Sequence, residues 1–255
     1  MKKFIIEGIS DAGSKNPENQ DACFAGTTAA VTGDAVFAIV CDGMGGMQSG
    51  DLASASIIDE FRKWFYCKCD LGSEWSADIF ETHNEWEEIL ERCNQEIIKY
   101  GTEHSTKLGS TIIAVLFTQD SVMLMNVGDS RAYYVADTVK KLSYDHSVVG
   151  KDIELGILTE EEAKNDTRNN VLTQCVGILD EIDPFFSSFE ICNGCYVLCS
   201  DGFYNKISNK EIQNMLSNAS DNEALRDAVT TLVSIDRERE EKDDISVITV
   251  IVYED

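Results

Sequence analysis

The sequence predicts an α+β fold in which two antiparallel-rich β-sheets pack together with helices outside them. Three observations predict it. Short β-branched runs bounded by turn formers fill both ends of the chain, and two amphipathic helical stretches follow each other between them. No Pro- or Ser-rich linker divides the 255 residues, which hold only two prolines. Strands that flank helices on both sides in sequence point to one domain, residues 1–255, long enough to bury a substantial core.

Phe4 to Ile9 reads as a first strand, followed by a polar loop from Ser10 to Asp21 that is dense in turn formers and, by itself, ordinary surface. Asp21 opens a strand, Ala22 to Ala25, that can pair as a hairpin with Ala35 to Cys41. The latter run delivers Asp42 to the edge of a sheet. The glycine-rich Gly43-Met44-Gly45-Gly46 behind it leaves bare backbone that a hard cation or a phosphate oxygen can approach.

From Ser49 the period changes. Ala53, Ile57, Phe61, Trp64 and Phe65 fall on one helical face, and Trp86, Ile89, Leu90, Cys93, Ile97 and Tyr100 on another, with a loop near Asp70 to Ser76 between the two helices. Both stripes read as core, with no cofactor attached. Gly109-Ser110-Thr111 begins a second β region: Ile112 to Phe117, a turn at Thr118 to Ser121, Val122 to Val127 ending in Gly128-Asp129-Ser130-Arg131, then Ala132 to Val135. His146, one of three histidines, lies beside an aspartate and reads as a hydrogen-bonded structural residue rather than a base. Residues 150–170 form a polar insertion with one short helix, opened by the capping box Thr159-Glu160-Glu161-Glu162, and its length suits a flap over a site.

Phe185 to Ile191 and Cys195 to Cys199 are predicted as a hairpin turning at Asn193-Gly194, and the second strand runs directly into Ser200-Asp201-Gly202. Capping boxes at Ser208-Asn209-Lys210-Glu211 and Ser220-Asp221-Asn222-Glu223 open two helices, the second with Leu225, Ala228, Val229 and Leu232 inside. After a charged loop, Asp243-Asp244 precede the last strand, Ile245 to Tyr253.

Hydrophobic residues at 43% and charged residues at 26% argue against disorder. The 46 Asp and Glu against 21 Lys and Arg leave a formal charge of −25, which disfavours nucleic acid and anionic membranes and makes a divalent cation the easier partner. Met1 to Glu7 holds too few apolar residues for a signal-peptide core, and no apolar run has the roughly 18 residues of a membrane span. Nine cysteines without a framework fit a reduced, cytoplasmic protein. Cys67-Lys68-Cys69 and Cys192-x-x-Cys195-x-x-x-Cys199 lack the second pair that a zinc site needs, so they read as core cysteines.

Asp42 and Asp201 stand at the carboxyl ends of strands and Asp243 at the amino end of one. If the last strand runs antiparallel to the other two, all three carboxylates reach one edge, where a metal cluster would relieve their repulsion. Hard oxygen ligands without Cys or His select Mg²⁺ or Mn²⁺, and two such ions would make the site attract phosphate.

The ordered set Asp11-x-Gly13 with Asn19-Gln20-Asp21, Asp42-Gly43-Met44-Gly45-Gly46, Gly109-Ser110-Thr111, Gly128-Asp129-Ser130-Arg131, Leu142-Ser143-x-Asp145-His146-Ser147, Asn170-Val171-Leu172-Thr173 with Gly177, Ser200-Asp201-Gly202 and Asp243-Asp244-x-Ser246 resembles the metal-dependent serine/threonine protein phosphatases of the type 2C (PPM) family in their compact bacterial form. The resemblance implies a central β-sandwich of two antiparallel sheets flanked by α-helices, a four-layer αββα arrangement. It implies two Mn²⁺ or Mg²⁺ ions and a third site. Asp42 would bridge two metals with the Gly43 carbonyl on the second, Asp201 and Asp243 would complete the first, and Asp129 with Asp201 would shape the third. Asp21, and more weakly Gln20 where relatives often carry Glu, would act through metal-bound water. The implied reaction is in-line attack on phosphorus by a metal-bridged hydroxide. Its substrate would be a phosphoprotein, either a kinase or a regulatory protein, acted on by a monomer.

Two positions depart from the pattern. Asn16, with Lys15 beside it, replaces the family's phosphate-binding Arg, and a lysine offers a point charge rather than a planar fork. Met44 replaces the His that serves many eukaryotic relatives as general acid. The alternatives are a catalytically weak phosphatase-like scaffold that regulates or binds a partner, and a different metal-dependent hydrolase on the same frame.

Overall fold

A computed structural model describes residues 1–30, 33–45, 49–70, 79–163 and 165–254. In chain order the elements are β1 (Lys2–Asp11), β2 (Asp21–Ala30), β3 (Gly33–Gly45), α1 (Gly50–Asp70), α2 (Ile79–His104), β4 (Leu108–Ser110), β5 (Ile112–Phe117), β6 (Ser121–Val127), β7 (Arg131–Val135), β8 (Val139–Lys141), α3 (Val148–Glu154), α4 (Glu160–Ala163), β9 (Phe185–Glu190), β10 (Gly194–Cys199), α5 (Asp201–Tyr204), α6 (Asn209–Leu216), α7 (Asn222–Glu238) and β11 (Ile245–Glu254). The strands form two antiparallel sheets, ordered β1-β11-β10-β7-β8 and β2-β3-β5-β6-β9, with β4 paired to the far end of β3.

The apolar run of β3 explains the layering. Val36, Ala38 and Val40 face the other sheet and pack with Ile113, Val115, Leu198 and Val250. Phe37, Ile39 and Cys41 point the opposite way, into a second core with Phe61, Phe65 and Trp86 of α1 and α2. A strand buried on both faces must be apolar at every position rather than at alternate ones. On the outer face of the other sheet, Val197, Cys199 and Val247 meet Leu225, Val229 and Leu232 of α7. The order of layers is therefore helix, sheet, sheet, helix, as the sequence predicts.

The predicted hairpin between residues 185 and 199 is not formed. β9 pairs with β6 at the edge of one sheet, whereas β10 lies between β7 and β11 in the other, so Asn193-Gly194 carries the chain across the sandwich. Burial accounts for the difference: Ser187, Ser188 and Glu190 suit a half-solvated edge, and Cys195 to Cys199 suit a central strand enclosed on both faces. The capping box at Ser208 and Glu211 forms as read, and so does that of Thr159 and Glu162. At α7 the cap is Asp221 rather than Ser220, accepting from the Ala224 N–H at 2.9 Å. Tyr100 is 38% exposed and stacks on His104 instead of joining the core. Residues 150–170 include one helix, α4, and most of another, α3, which begins earlier at Val148 behind the Ser147 cap. The predicted loop after Asp70 and Gly46 of the glycine turn lie outside the described residues.

His146 is structural: its Nδ1 accepts from the Gly128 N–H at 3.2 Å, and burial pushes its pKa down. All nine cysteines are free, with Cys195 and Cys199 buried in β10 and Cys67 and Cys192 exposed.

Two stability predictions follow from the core. Phe37 is fully buried between Phe61, Phe65, Trp64 and Trp86, with ring centroids 5.4–6.2 Å away, so Phe37→Ala should cost about 3–5 kcal/mol in urea unfolding. Asp236 of α7 is fully buried with neither carboxylate oxygen bonded, and burial pushes its pKa up to about 8, Glu241 adding and Arg237 and Arg239 opposing. Between about pH 4 and pH 8 the folded state then holds the proton that the unfolded state has lost, so this group's contribution to stability falls as pH rises through that window. Asp236→Asn should therefore gain on the parent protein from pH 5 to pH 8; parallel urea midpoints at the two pH values would contradict this.

Candidate metal centre

The carboxylates meet because of how the strands end. Asp42, near the end of β3, is the register partner of Asp21 at the start of β2. β10 runs out at Cys199 and leads through Ser200 to Asp201 at the start of α5. β11 is antiparallel to β10, with Cys199 opposite Val247, so Asp243 and Asp244 just ahead of β11 arrive at the same end. The expected antiparallel relation thus holds as a ladder with β10, while β3 brings Asp42 from the facing sheet. Asp129 comes from the β6–β7 turn, where Gly128 takes φ +98°.

Hydrogen bonds fix the main chain around these residues. The Asp42 N–H donates to Thr111 Oγ1 at 3.1 Å, and its carbonyl accepts from the Thr111 N–H and from Ser110 Oγ at 2.9 and 3.0 Å. The Gly43 N–H donates to the Gln20 carbonyl at 3.1 Å. A Cβ on Gly43 would stand 2.1 Å from the Gly50 carbonyl oxygen, so the close approach of these backbones requires glycine. Ser200 Oγ donates to Asp21 Oδ2 at 2.7 Å. Asp244, buried, receives the Gly13 and Gln20 N–H groups at 2.7 and 2.8 Å on its two oxygens. The Tyr204 hydroxyl donates to the Asp129 carbonyl at 3.0 Å, and Arg131 lies 3.7 Å over the Tyr204 ring while clamping Asp145.

Asp42, Gly43, Asp129, Asp201 and Asp243 line one cavity of about 270 Å³, together with Lys15, Asn16, Gln20 and Met44. A neighbouring cavity of about 340 Å³ shares Asp129, Asp201 and Asp243 and extends beneath Val149, Ile153, Ala163 and Asn169. The 150–170 segment therefore lies against the carboxylates.

Burial and mutual repulsion make this group electrostatically costly. Burial, with Asp21, Asp201, Asp129 and Asp243 around it, pushes the Asp42 carboxyl well up. Burial also raises Asp129 to about 8, with Asp201 and Asp145 adding and Arg131 opposing. Asp21 is raised to about 7 by burial against the hydrogen bonds of Ser200 and Ser246, and Asp201 to about 6 by burial and Asp243, with Lys15 opposing. Asp201 Oδ1 is buried with no hydrogen-bond donor. Lys15 Nζ bonds Asp243 Oδ2 at 2.6 Å; burial disfavours its charge, but Asp243, Asp201 and Asp42 more than offset this and hold its pKa above the ordinary value.

Of the residues proposed from the sequence for metal or phosphate, Lys15, Asn16, Gln20, Asp42, Gly43, Asp129, Asp201 and Asp243 line the cavity, whereas Asp21 meets the group through Ser200 and Asp42. Among the described residues no three Asp, Glu, His or Cys side chains stand close enough to hold an ion as placed; Asp243 is bonded to Lys15 and Asp21 to Ser200. Asn16 is committed to Gln20, its Nδ2 donating to Gln20 Oε1 at 2.9 Å. Asp244 and Ser200 appear in the sequence only as parts of motifs; their roles depend on partners 231 and 179 residues away, which no local pattern reveals.

Residues 11–245 match the family model described as Protein phosphatase 2C. The chain is 30% identical over 262 residues to protein phosphatase PhpP of Streptococcus pneumoniae, covering 98% of both chains. Its fold is similar to the serine/threonine phosphatase Stp1 of Staphylococcus aureus, with a TM-score of 0.85, 24% identity, and coverage of 99% of this chain and 96% of that one. It is also similar to the catalytic domain of the serine/threonine protein phosphatase PstP, crystallised with two manganese ions, with a TM-score of 0.81, 22% identity and full coverage of both chains. Carboxylates from both sheets of an αββα sandwich agree with that match over residues 11–245: the chain belongs to the protein phosphatase 2C family.

Proposed function

We propose that the protein hydrolyses phosphoserine and phosphothreonine in other proteins, using divalent metal held by the carboxylate group. The observation that carries this reading is the buried, donorless Asp201 Oδ1 within a set of carboxylates whose mutual repulsion a divalent cation would relieve, on a protein phosphatase 2C frame. An all-oxygen donor set fits Mn²⁺ or Mg²⁺. Asp42, the Gly43 carbonyl, Asp201 and Asp243 would hold two ions, Asp21 and Gln20 would act through water, and Asp129 would serve a third. Bound there, the ions would supply charge stabilisation at the phosphoryl oxygens and a water acidic enough to be a nucleophile near neutral pH.

The chain's own residues define the rest. Lys15, on the cavity wall, is the cation available to orient a phosphate, in place of an arginine at Asn16. Met44 has no proton to give a leaving alkoxide, so acid catalysis from that position is absent. The 150–170 segment, lying against the second cavity, is proposed as the flap over the phosphorylated segment of the substrate. The nine free cysteines agree with a reducing, cytoplasmic location, and we propose a monomer that acts on a kinase or a regulatory phosphoprotein. The Lys15–Asp243 ion pair, together with the engagement of Asn16 by Gln20, favours a second reading, a weak phosphatase that serves as a binding scaffold.

Purified protein should release phosphate from a phosphothreonine peptide in Mn²⁺ and lose that activity in chelator and in Asp201→Asn. Mn²⁺ binding without release would favour the scaffold. Asn16→Arg should lower the KM for the peptide several-fold by adding a bidentate donor; an unchanged KM would mean that Lys15 already supplies what the site needs.

A further inference from the structure

We propose that Arg237 is a positioning residue for this centre: its guanidinium clasps the end of β1 and the segment from Glu241 to Asp243, and so fixes the main chain that presents Asp243 and Asp244. Neither the motifs nor the proposed chemistry uses this arginine. Arg237 Nε donates to Asp11 Oδ1 at 2.6 Å and Nη2 to the Asp11 carbonyl at 2.9 Å. Nη1 donates to the carbonyls of Glu241 and Asp243 at 3.0 and 2.7 Å. One planar group thus meets four acceptors from two distant segments, which a lysine ammonium with three donors at a single point cannot reproduce.

The chain path makes the clasp necessary. α7 stops at Glu238, and Glu240 takes the left-handed conformation at φ +62°, unusual for a residue with a side chain. The Glu241 N–H then folds back to the Asp236 carbonyl at 3.1 Å, and the chain turns toward the carboxylates. There the 241–244 segment packs directly on the loop after β1. The Ser14 and Lys15 N–H groups both donate to the Lys242 carbonyl at 2.9 Å, and a Cβ on Gly13 would stand 2.2 Å from that oxygen. Asp244 caps the Gly13 and Gln20 N–H groups from the same side. Because Arg237 holds the Asp243 carbonyl, the peptide plane between Asp243 and Asp244 is set. Asp243 is thereby directed to Lys15 and the cavity, and Asp244 to the loop. Asp11, whose place in the first motif has no role in the proposed chemistry, is the anchor of this clasp on β1.

The inference rests on the phosphatase reading only for the identity of the metal; the clasp itself is read from the protein. Arg226 supplies the control, since it sits on the same helix and pairs with Glu7 of β1 at 3.0 Å, away from the 241–244 segment. Full-length protein, Arg237→Ala, Arg237→Lys and Arg226→Ala would be compared by calorimetric Mn²⁺ titration, by amide hydrogen exchange without metal, and by thermal unfolding. Arg237→Ala should weaken Mn²⁺ roughly 10–100-fold, the usual effect of losing a group that orients a ligand, and should speed exchange at residues 243–244. Arg237→Lys should recover only part of the affinity. Arg226→Ala should lose thermal stability yet keep the parent Mn²⁺ isotherm. Parent-like Mn²⁺ affinity and exchange in Arg237→Ala would overturn the proposal, as would an equal shift in Arg226→Ala. If the alanine variant does not fold, parent-like affinity and exchange in Arg237→Lys would overturn it in the same way. Should the parent protein itself bind no Mn²⁺, the metal reading fails, and hydrogen exchange still decides the clasp.

Discussion

Repulsion among aspartates gathered at one end of the sandwich is the constraint on which the rest of the structure depends. Asp42, Asp129, Asp201 and Asp243 share a cavity, and burial makes the charges of Asp42, Asp129 and Asp201 dearer than they would be in water. Like charges around one cavity tend to separate, and a rigid main chain behind them opposes this. The surrounding hydrogen bonds supply that rigidity: Thr111 and Ser110 behind Asp42, Tyr204 behind Asp129, and Asp244 and Arg237 beside Asp243.

The sandwich contributes by bringing strand ends together from opposite sheets. β3 lies in one sheet and β10 and β11 in the other, and the apolar layer between them holds the two together. The crossing of the chain at Asn193-Gly194 matters here, because it takes β10 out of the sheet of β9 and sets Asp201 beside the β11 side of the cavity. A hairpin there would have left Asp201 with the wrong sheet.

Charge is distributed with similar consequence. In a chain of net charge −25, Lys15, Arg131, Lys141, Lys206 and Lys242 all line the larger cavity beside the carboxylates. Arg131 and Lys141 share the buried Asp145, which fixes their place. A phosphorylated substrate repelled by the surface as a whole would meet a local field of mixed sign beside the centre.

The sequence by itself determined the class of fold, most of the strands and helices, and which aspartates stand at the ends of strands. Those are consequences of local pattern: the period of apolar residues, the turn formers, and acidic residues at strand ends. The run Ala35 to Cys41 and the stripe of Ala53, Ile57, Phe61 and Phe65 are legible because each buries the face that its period predicts. Tertiary structure alone decided which strands pair across residues 185–199, that Tyr100 faces outward, that Asp221 caps α7, and that Asn16 is spent on Gln20 while Lys15 meets Asp243. Local sequence carries no information on these points, because each is a competition between partners far apart in the chain. Arg237 is the clearest instance: nothing near it marks it out, and its role exists only because β1 and the 241–244 segment fold to either side of one guanidinium.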